Sequence, residues 1–405
     1  MKINRLICVL LILVGLTTQF VVADDWYSDE PGYYKVYDSE TDKILFQTAR
    51  EVSKDDQYLS NDNKMYKVIK VNKSDNTAET KFIEDISLPE INKEALANIK
   101  LALGGKASLE SILTQAEQEE GEGERKVGIY ATHSSESYVP SEGTESVDGG
   151  GGILKVAEKL KSGFENNGVN ATFDNTLHNP HDAGAYKRSR RTATQLMREQ
   201  QPTSLIDVHR DAIPPEEYLT EIEGNPASRV RLVVGRRNQN FAANEETALK
   251  IKSLADEMYP GLVKDVFYGK GDYNQDLTPR AVLLEMGTHE IERERAEKSA
   301  GYMSEIITTA LFGQTFKEGE QGAAGAGGAE GGTEGGAGTP GGGTPEAATQ
   351  SNTGSGTGIF AILAVVVLGG IGFLFLSNSG KEWKSKVSNF KEEFANFLGR
   401  NKYKK

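Results

Sequence analysis

From Lys126 to about Phe316 the hydrophobic pattern switches repeatedly between two periods. Short β-prone runs stand at Val127–Thr132, Val169–Phe173, Leu205–His209, Val230–Val234, Val263–Phe267 and Ala281–Met286. Between them, helical spacing runs over Ile153–Phe164, Tyr186–Met197, Asn244–Met258 and Arg293–Leu311. The first of these puts Ile153, Val156, Ala157, Leu160 and Phe164 on one face, with Gly168 just past its end. Strands alternating with helices predict an α/β sandwich around a mostly parallel sheet. Functional groups of such sheets gather at the carboxyl ends of strands.

Outside 126–316 the pattern changes. Residues 24–86 read as a small β-rich module: Tyr33–Tyr37, Ile44–Gln47, Lys67–Val71 and Thr77–Phe82 are β-prone and separated by turn-forming stretches. It carries no catalytic cluster and reads as a spacer or interaction module. Residues 87–125 form a helical segment and an acidic linker; Ser87, Pro89 and Glu90 predict the helix start. The helix breaks at Gly104-Gly105 and resumes to about Gln118. At the N-terminus, Lys2 and Arg5, the apolar run Leu6–Leu16 and Ala23 make residues 1–23 a secretory signal peptide or an N-terminal anchor.

Residues 317–357 are Gly-, Ala- and Thr-rich and predict a flexible linker. Ile359–Leu376 has no charge, and residues 358–377 are long enough for one transmembrane helix across a core roughly 30 Å thick. Residues 378–405 form a basic amphipathic tail, with Trp383, Val387, Phe390, Phe394 and Phe397 at helical spacing. Its excess of Lys and Arg predicts a cytoplasmic tail and an extracytoplasmic 126–316 domain.

Charge and cysteine usage narrow the chemistry. A net charge of −13 argues against a nucleic-acid partner. The single cysteine, Cys8, lies in the N-terminal apolar run, so disulfides, thiol nucleophiles and Cys-ligated metal are excluded from the rest of the chain. Any metal falls to carboxylates and five histidines: His133, His178, His181, His209 and His289.

Three of the strand ends carry the right groups. His133 and Glu136 follow the first strand, His209 ends LIDVHRDA, and Glu285 ends AVLLEMGTH. Two histidines and a carboxylate, with one position left for water, are the donor set of a catalytic Zn2+ site. His133, Glu136 and His209 are the candidate ligands, with Glu142 and Glu145 as alternatives to Glu136. Glu285 is the candidate general base. Asp207, two residues before His209 on the same strand face, is the candidate outer-shell acceptor. Arg210 is the candidate for polarising a substrate carbonyl. The pair His178 and His181 reads as a loop lining the cleft, Arg188 as a solvated helix residue or an anion contact, and His289 as a residue near the pocket. A zinc carboxypeptidase and a scaffold whose site has lost activity fit the same residues.

THSSESYVP (132–140), HDAGAYKRSRRT (181–192), LIDVHRDAIP (205–214), VVGRRN (233–238) and YNQDLTPRAVLLEMGTH (273–289) together resemble the stage II sporulation protein P family. The resemblance implies a phosphorylase/hydrolase-like three-layer sandwich and a zinc-dependent N-acetylmuramoyl-L-alanine amidase. It maps the metal histidines onto His133 and His209 and the catalytic glutamate onto Glu285. It further implies peptidoglycan as substrate, wall remodelling in sporulation and engulfment, an added endopeptidase activity in some members, and stage II sporulation proteins D and M as partners. The expected span follows the catalytic domain, whereas many members are anchored at the N-terminus.

Overall fold

The structure, a computed structural model, describes residues 32–103, 124–182 and 184–316. The expected signal peptide or anchor, the resumed helix to Gln118, the flexible linker, the transmembrane helix and the basic tail lie outside them. Among the described residues no helix is long and apolar enough to cross a membrane.

Five strands open the described chain: β1 (Tyr34–Asp38), β2 (Ile44–Thr48), β3 (Gln57–Leu59), β4 (Lys64–Asn72) and β5 (Thr77–Asp85). Helix α1 (Lys93–Leu103) follows. The alternation then runs β6 (Lys126–Tyr130), α2 (Ile153–Asn166), β7 (Asn170–Phe173), α3 (Ala185–Gln200) and β8 (Ser204–Asp211). After a two-stranded hairpin, β9 (Leu219–Ile222) and β10 (Asn225–Ser228), come β11 (Val230–Gly235) and α4 (Phe241–Met258). The domain closes with β12 (Val263–Gly269), β13 (Val282–Thr288) and α5 (Arg293–Phe312).

The fold is mixed α/β. One sheet carries eleven strands in the order β2-β1-β5-β4-β3-β12-β11-β13-β8-β6-β7. Within residues 126–316 the sheet is mostly parallel: β7, β6, β8 and β13 share a direction, and only β11 pairs antiparallel with its neighbour β13. Strands β8, β11, β12 and β13 are buried along their whole length. Covered on both faces, such strands read as continuous apolar runs rather than as alternation.

Helices α1, α2, α4 and α5 cover one face. The predicted apolar stripe of α2 is fully buried there, alongside Met303, Ile306 and Ile307 of α5. Each such side chain contributes about 1.5–3 kcal/mol on burial. On the other face α3 brings Ala193 and Leu196 onto Tyr130 and Leu205. The N-terminal strands share that second face, with the Phe46 ring 5.8 Å from the Phe267 ring.

Residues 24–86 read from sequence as a module of their own, yet β3 pairs antiparallel with β12 and makes β1–β5 part of the main sheet. Only three residues long, β3 carries too short a pattern to announce itself. The predicted helix start at Ser87–Glu90 is also displaced. Asn92 is the cap, its Oδ1 accepting from the backbone N–H groups of Glu94 and Ala95 at 3.2 Å. Tertiary bonds hold the preceding segment extended: Ile86 N–H to Asn63 O, the Ser253 hydroxyl to Pro89 O, and a bridge from Ile91 to Phe316.

Candidate active site

Strands β6, β8 and β13 are adjacent and parallel, so their carboxyl ends open on one place. His209 on β8 pairs across the ladder with Glu285 on β13. Immediately afterwards the register slips, Thr288 pairing with Asp211, so β13 spends one residue more than β8. Gly287 takes φ +93° in this bulge, where a Cβ would lie 2.4 Å from Ile291 Cδ1. A bulge beside a functional residue re-aims its side chain, and here only glycine fits the turn.

His133 and Glu136 come from a tight turn after β6, closed by Glu136 N–H to His133 O at 3.0 Å. The glycine run before α2 supports it: Gly151 N–H donates to Ser134 O, and a Cβ on Gly151 would stand 1.9 Å from Glu136 O. The start of α2 can therefore lie directly against the turn.

The result is a buried cluster. Ligand-type atoms of His133, Glu136 and His209 all lie within 4.8 Å of one another. Glu136 Oε1 is 3.2 Å from His133 Nδ1 and 3.5 Å from His209 Nδ1. Glu136 Oε2 accepts the Arg210 backbone N–H at 2.9 Å. On the far side of the ring, His209 Nε2 is 3.1 Å from Asp207 Oδ1. Asp207 also accepts the Thr132 N–H and hydroxyl at 2.8 and 2.6 Å, tying the end of β6 to β8. A carboxylate behind the second ring nitrogen is the usual support of a metal-binding histidine. Two imidazoles and a carboxylate, converging and buried, fit Zn2+ in donor chemistry.

Charge follows from this packing. Burial pushes the His133 imidazole down to about 3, against its hydrogen bond to Glu136. Burial would also lower His209, but Asp207 and Glu136 hold it up at about 10. Burial disfavours the Glu136 anion, yet His209 and the hydrogen bonds from both rings hold it well below the usual carboxylate range. Glu285 is shifted the other way: burial raises it, Arg50 opposes, and Asp211 and Glu136 add to the rise.

Glu285 and the cluster share a pocket with Arg50, His181 and Tyr273. Glu285 Oε1 accepts Arg50 Nε–H at 2.5 Å, while Oε2 is buried with no hydrogen-bond partner among the described residues. Sequence reasoning missed Arg50. It stands 235 residues from Glu285 in a stretch read as a spacer, and long-range tertiary contacts of the N-terminal strands bring the two together.

The remaining candidates are placed as follows. Glu142 faces Arg293 and the Tyr138 N–H, and Glu145 is exposed, so neither joins the cluster. Arg210, expected at a substrate carbonyl, turns its guanidinium onto backbone carbonyls of Ser137, Asp211 and Glu145 at 3.1, 3.4 and 2.7 Å. Two of these bonds tie down the 137–145 loop, and Arg210 also lines the pocket. His178 is buried between Ala131 O and the Thr192 hydroxyl, 2.8 Å from each. His181 lines the pocket, its ring stacked 4.1 Å from that of His133. Arg188 donates to His178 O and Asp182, holding their loop. His289 lies outside the pocket lining, its N–H donating to Asp211 O.

Fold and site thus define a mixed α/β protein with a buried candidate metal centre at the ends of three parallel strands. The family model "Stage II sporulation protein P (SpoIIP)" matches residues 53–308, more than half of the chain. The chain belongs to this family, and the match begins inside the N-terminal strands. Stage II sporulation protein P of Bacillus subtilis (strain 168) is 30% identical over 205 residues, 46% of this chain and 51% of the relative. The match therefore spans about half the length of that relative. Among solved structures, the N-acetylmuramyl-L-alanine amidase Ami1 from Mycobacterium smegmatis is 16% identical, covering 47% of this chain and 97% of that one, with a TM-score of 0.31. An N-acetylmuramoyl-L-alanine amidase from Clostridium difficile 630 is 14% identical, with 47% and 96% coverage and a TM-score of 0.31. Likeness at this level carries no weight for function.

Proposed function

We propose that the chain is a peptidoglycan hydrolase of sporulation, a zinc-dependent N-acetylmuramoyl-L-alanine amidase. One observation carries the reading: a buried His133–Glu136–His209 cluster faces a glutamate, Glu285, that keeps one oxygen unpartnered. His133, Glu136 and His209 would hold Zn2+, which supplies Lewis acidity toward water and the amide carbonyl. Asp207 keeps His209 in one orientation. Glu285 Oε2 takes the proton of the attacking water as oxygen bonds to the lactyl carbonyl carbon. The C–N bond then breaks, and Glu285 returns the proton to the departing amine of L-alanine. Burial raises the Glu285 carboxyl, which makes it a stronger base toward the attacking water. His181, at the mouth, is placed to meet the substrate.

The membrane reading belongs to the same proposal. Residues 1–23 export the chain or anchor it, 358–377 span the bilayer, and 378–405 remain in the cytoplasm. Stage II sporulation proteins D and M are the proposed partners at that membrane.

The test is digestion of purified peptidoglycan by the full chain and by Glu285→Gln, with released material identified by mass spectrometry. Stem peptides with a new alanine N-terminus, absent with the variant and with chelator, are expected. Release of single amino acids would show a carboxypeptidase instead, and wall binding without products in both proteins would show a scaffold.

A further inference from the structure

Arg50 reaches the pocket through a segment fixed on both sides of β2's end. Arg231 Nη1 donates to Gln47 O at 3.0 Å, and the Ala49 N–H donates to Asp211 Oδ1 at 2.8 Å. Asp211 is the last residue of β8, two beyond His209. The next residue in the N-terminal chain therefore has little choice of direction. Its side chain, only 13% exposed, meets Glu285 through Nε at 2.5 Å and the Tyr186 hydroxyl through Nη1 at 3.2 Å. Its guanidinium carbon lies 5.3 Å from the centre of the Tyr273 ring. Strand β13, helix α3 and the loop before β13 thus hold one guanidinium from three directions.

We propose that Arg50 is a positioning residue of the active site, and that the N-terminal strands are part of the catalytic unit because they deliver it. The inference rests on the amidase reading and adds a residue to it. A carboxylate has two equivalent oxygens and turns about its last torsion. By occupying Oε1, Arg50 leaves Oε2 as the oxygen that handles protons and fixes the direction in which it points. A general base works only within hydrogen-bond reach of the proton it takes, and a misplacement of about 1 Å costs roughly 100-fold in rate. An ordinary packing arginine has a different surrounding. Arg231 is fully buried, Asp265, Asp211 and Gln47 O occupy its guanidinium, and it does not line the pocket. Arg50 lines the pocket itself.

The experiment uses the full chain with Arg50→Ala and Arg50→Lys, following turnover of a soluble muropeptide and the metal content of each protein. Arg50→Ala should lower kcat by about 100-fold or more, with KM within about twofold and metal content unchanged. Arg50→Lys should recover at least about tenfold of that loss, since an ammonium still pairs with Glu285. A loss of less than about tenfold in Arg50→Ala would overturn the proposal. So would a raised KM at unchanged kcat, which marks a substrate-binding arginine, or equal losses in both variants together with lost metal, which mark a packing role. Wild-type turnover judges the amidase reading, whereas the ratio of variant to wild type judges Arg50.

Discussion

Two buried charge clusters sit side by side on the sheet, and they are finished to different degrees. Arg231 on β11 pairs across the ladder with Glu285 on β13. Around Arg231, Asp265 accepts Nε–H and Nη2–H at 2.7 and 3.0 Å, and Asp211 accepts Nη1–H at 3.1 Å. Although burial disfavours the Asp265 anion, Arg231 holds its carboxyl below the ordinary value. One strand away, Glu285 has, among the described residues, one hydrogen-bond partner and an unpartnered oxygen, and a raised pKa, beside two histidines and Glu136. Buried polar groups are normally satisfied because an orphan costs about 1–3 kcal/mol. The first cluster is satisfied internally, whereas the second leaves buried polar atoms without partners among the described residues. The first cluster also holds the backbone that delivers Arg50, so the structural one supports the functional one.

This contrast can be broken from either side. Glu285→Gln should lower kcat by about 100- to 10,000-fold, the range of general acid–base groups, while metal content and thermal midpoint hold. Parallel kinetics and calorimetry would show it, and a lowered midpoint would put Glu285 with the structural cluster. Arg231→Met should above all lower the thermal midpoint. Stranding two buried carboxylates costs about 3–5 kcal/mol, roughly a 10 °C fall in midpoint at about 2–4 °C per kcal/mol.

The Arg231–Asp265 pair has a pH signature whose sign is set by the depressed carboxyl. Its contribution is fully present above the unfolded aspartate value of about 3.9 and is lost as pH falls through the lower folded value. The stability difference between wild type and Asp265→Asn should therefore be flat from neutral pH to about pH 4 and shrink below it. A difference that instead grew on acidification would disprove the pairing. The smallest effect is expected at Glu145→Ala, which should change metal content and midpoint by no more than about 0.5 kcal/mol equivalent, as for an exposed residue. Glu136→Ala should empty the metal site.

Much of this architecture was legible from the chain alone. Six of the eight strands of 126–316 and its four long helices announce themselves by period, because each buries a regular stripe or a whole run. His133, Glu136, His209 and Glu285 were legible because parallel strands collect their carboxyl ends. The misses share a physical cause. Strand β3 and the placement of Arg50 are decided by partners far along the chain, and no local pattern encodes them. Arg210 follows His209 on β8, and its guanidinium bonds to the loop backbone while it also lines the pocket. The hairpin β9–β10 turns on Glu223 and Gly224, both at positive φ, in a polar stretch too short to show alternation.

The most direct test of the central claim reads metal content and turnover on the same samples of the full chain, titrated with Zn2+ after chelation. Turnover of peptidoglycan fragments should rise in proportion to metal and level off at about one ion per chain, the capacity of a single three-ligand site. Glu285→Gln should take up the same metal and stay inactive. Full turnover in metal-free protein, or metal bound equally well after His209→Ala, would contradict the account.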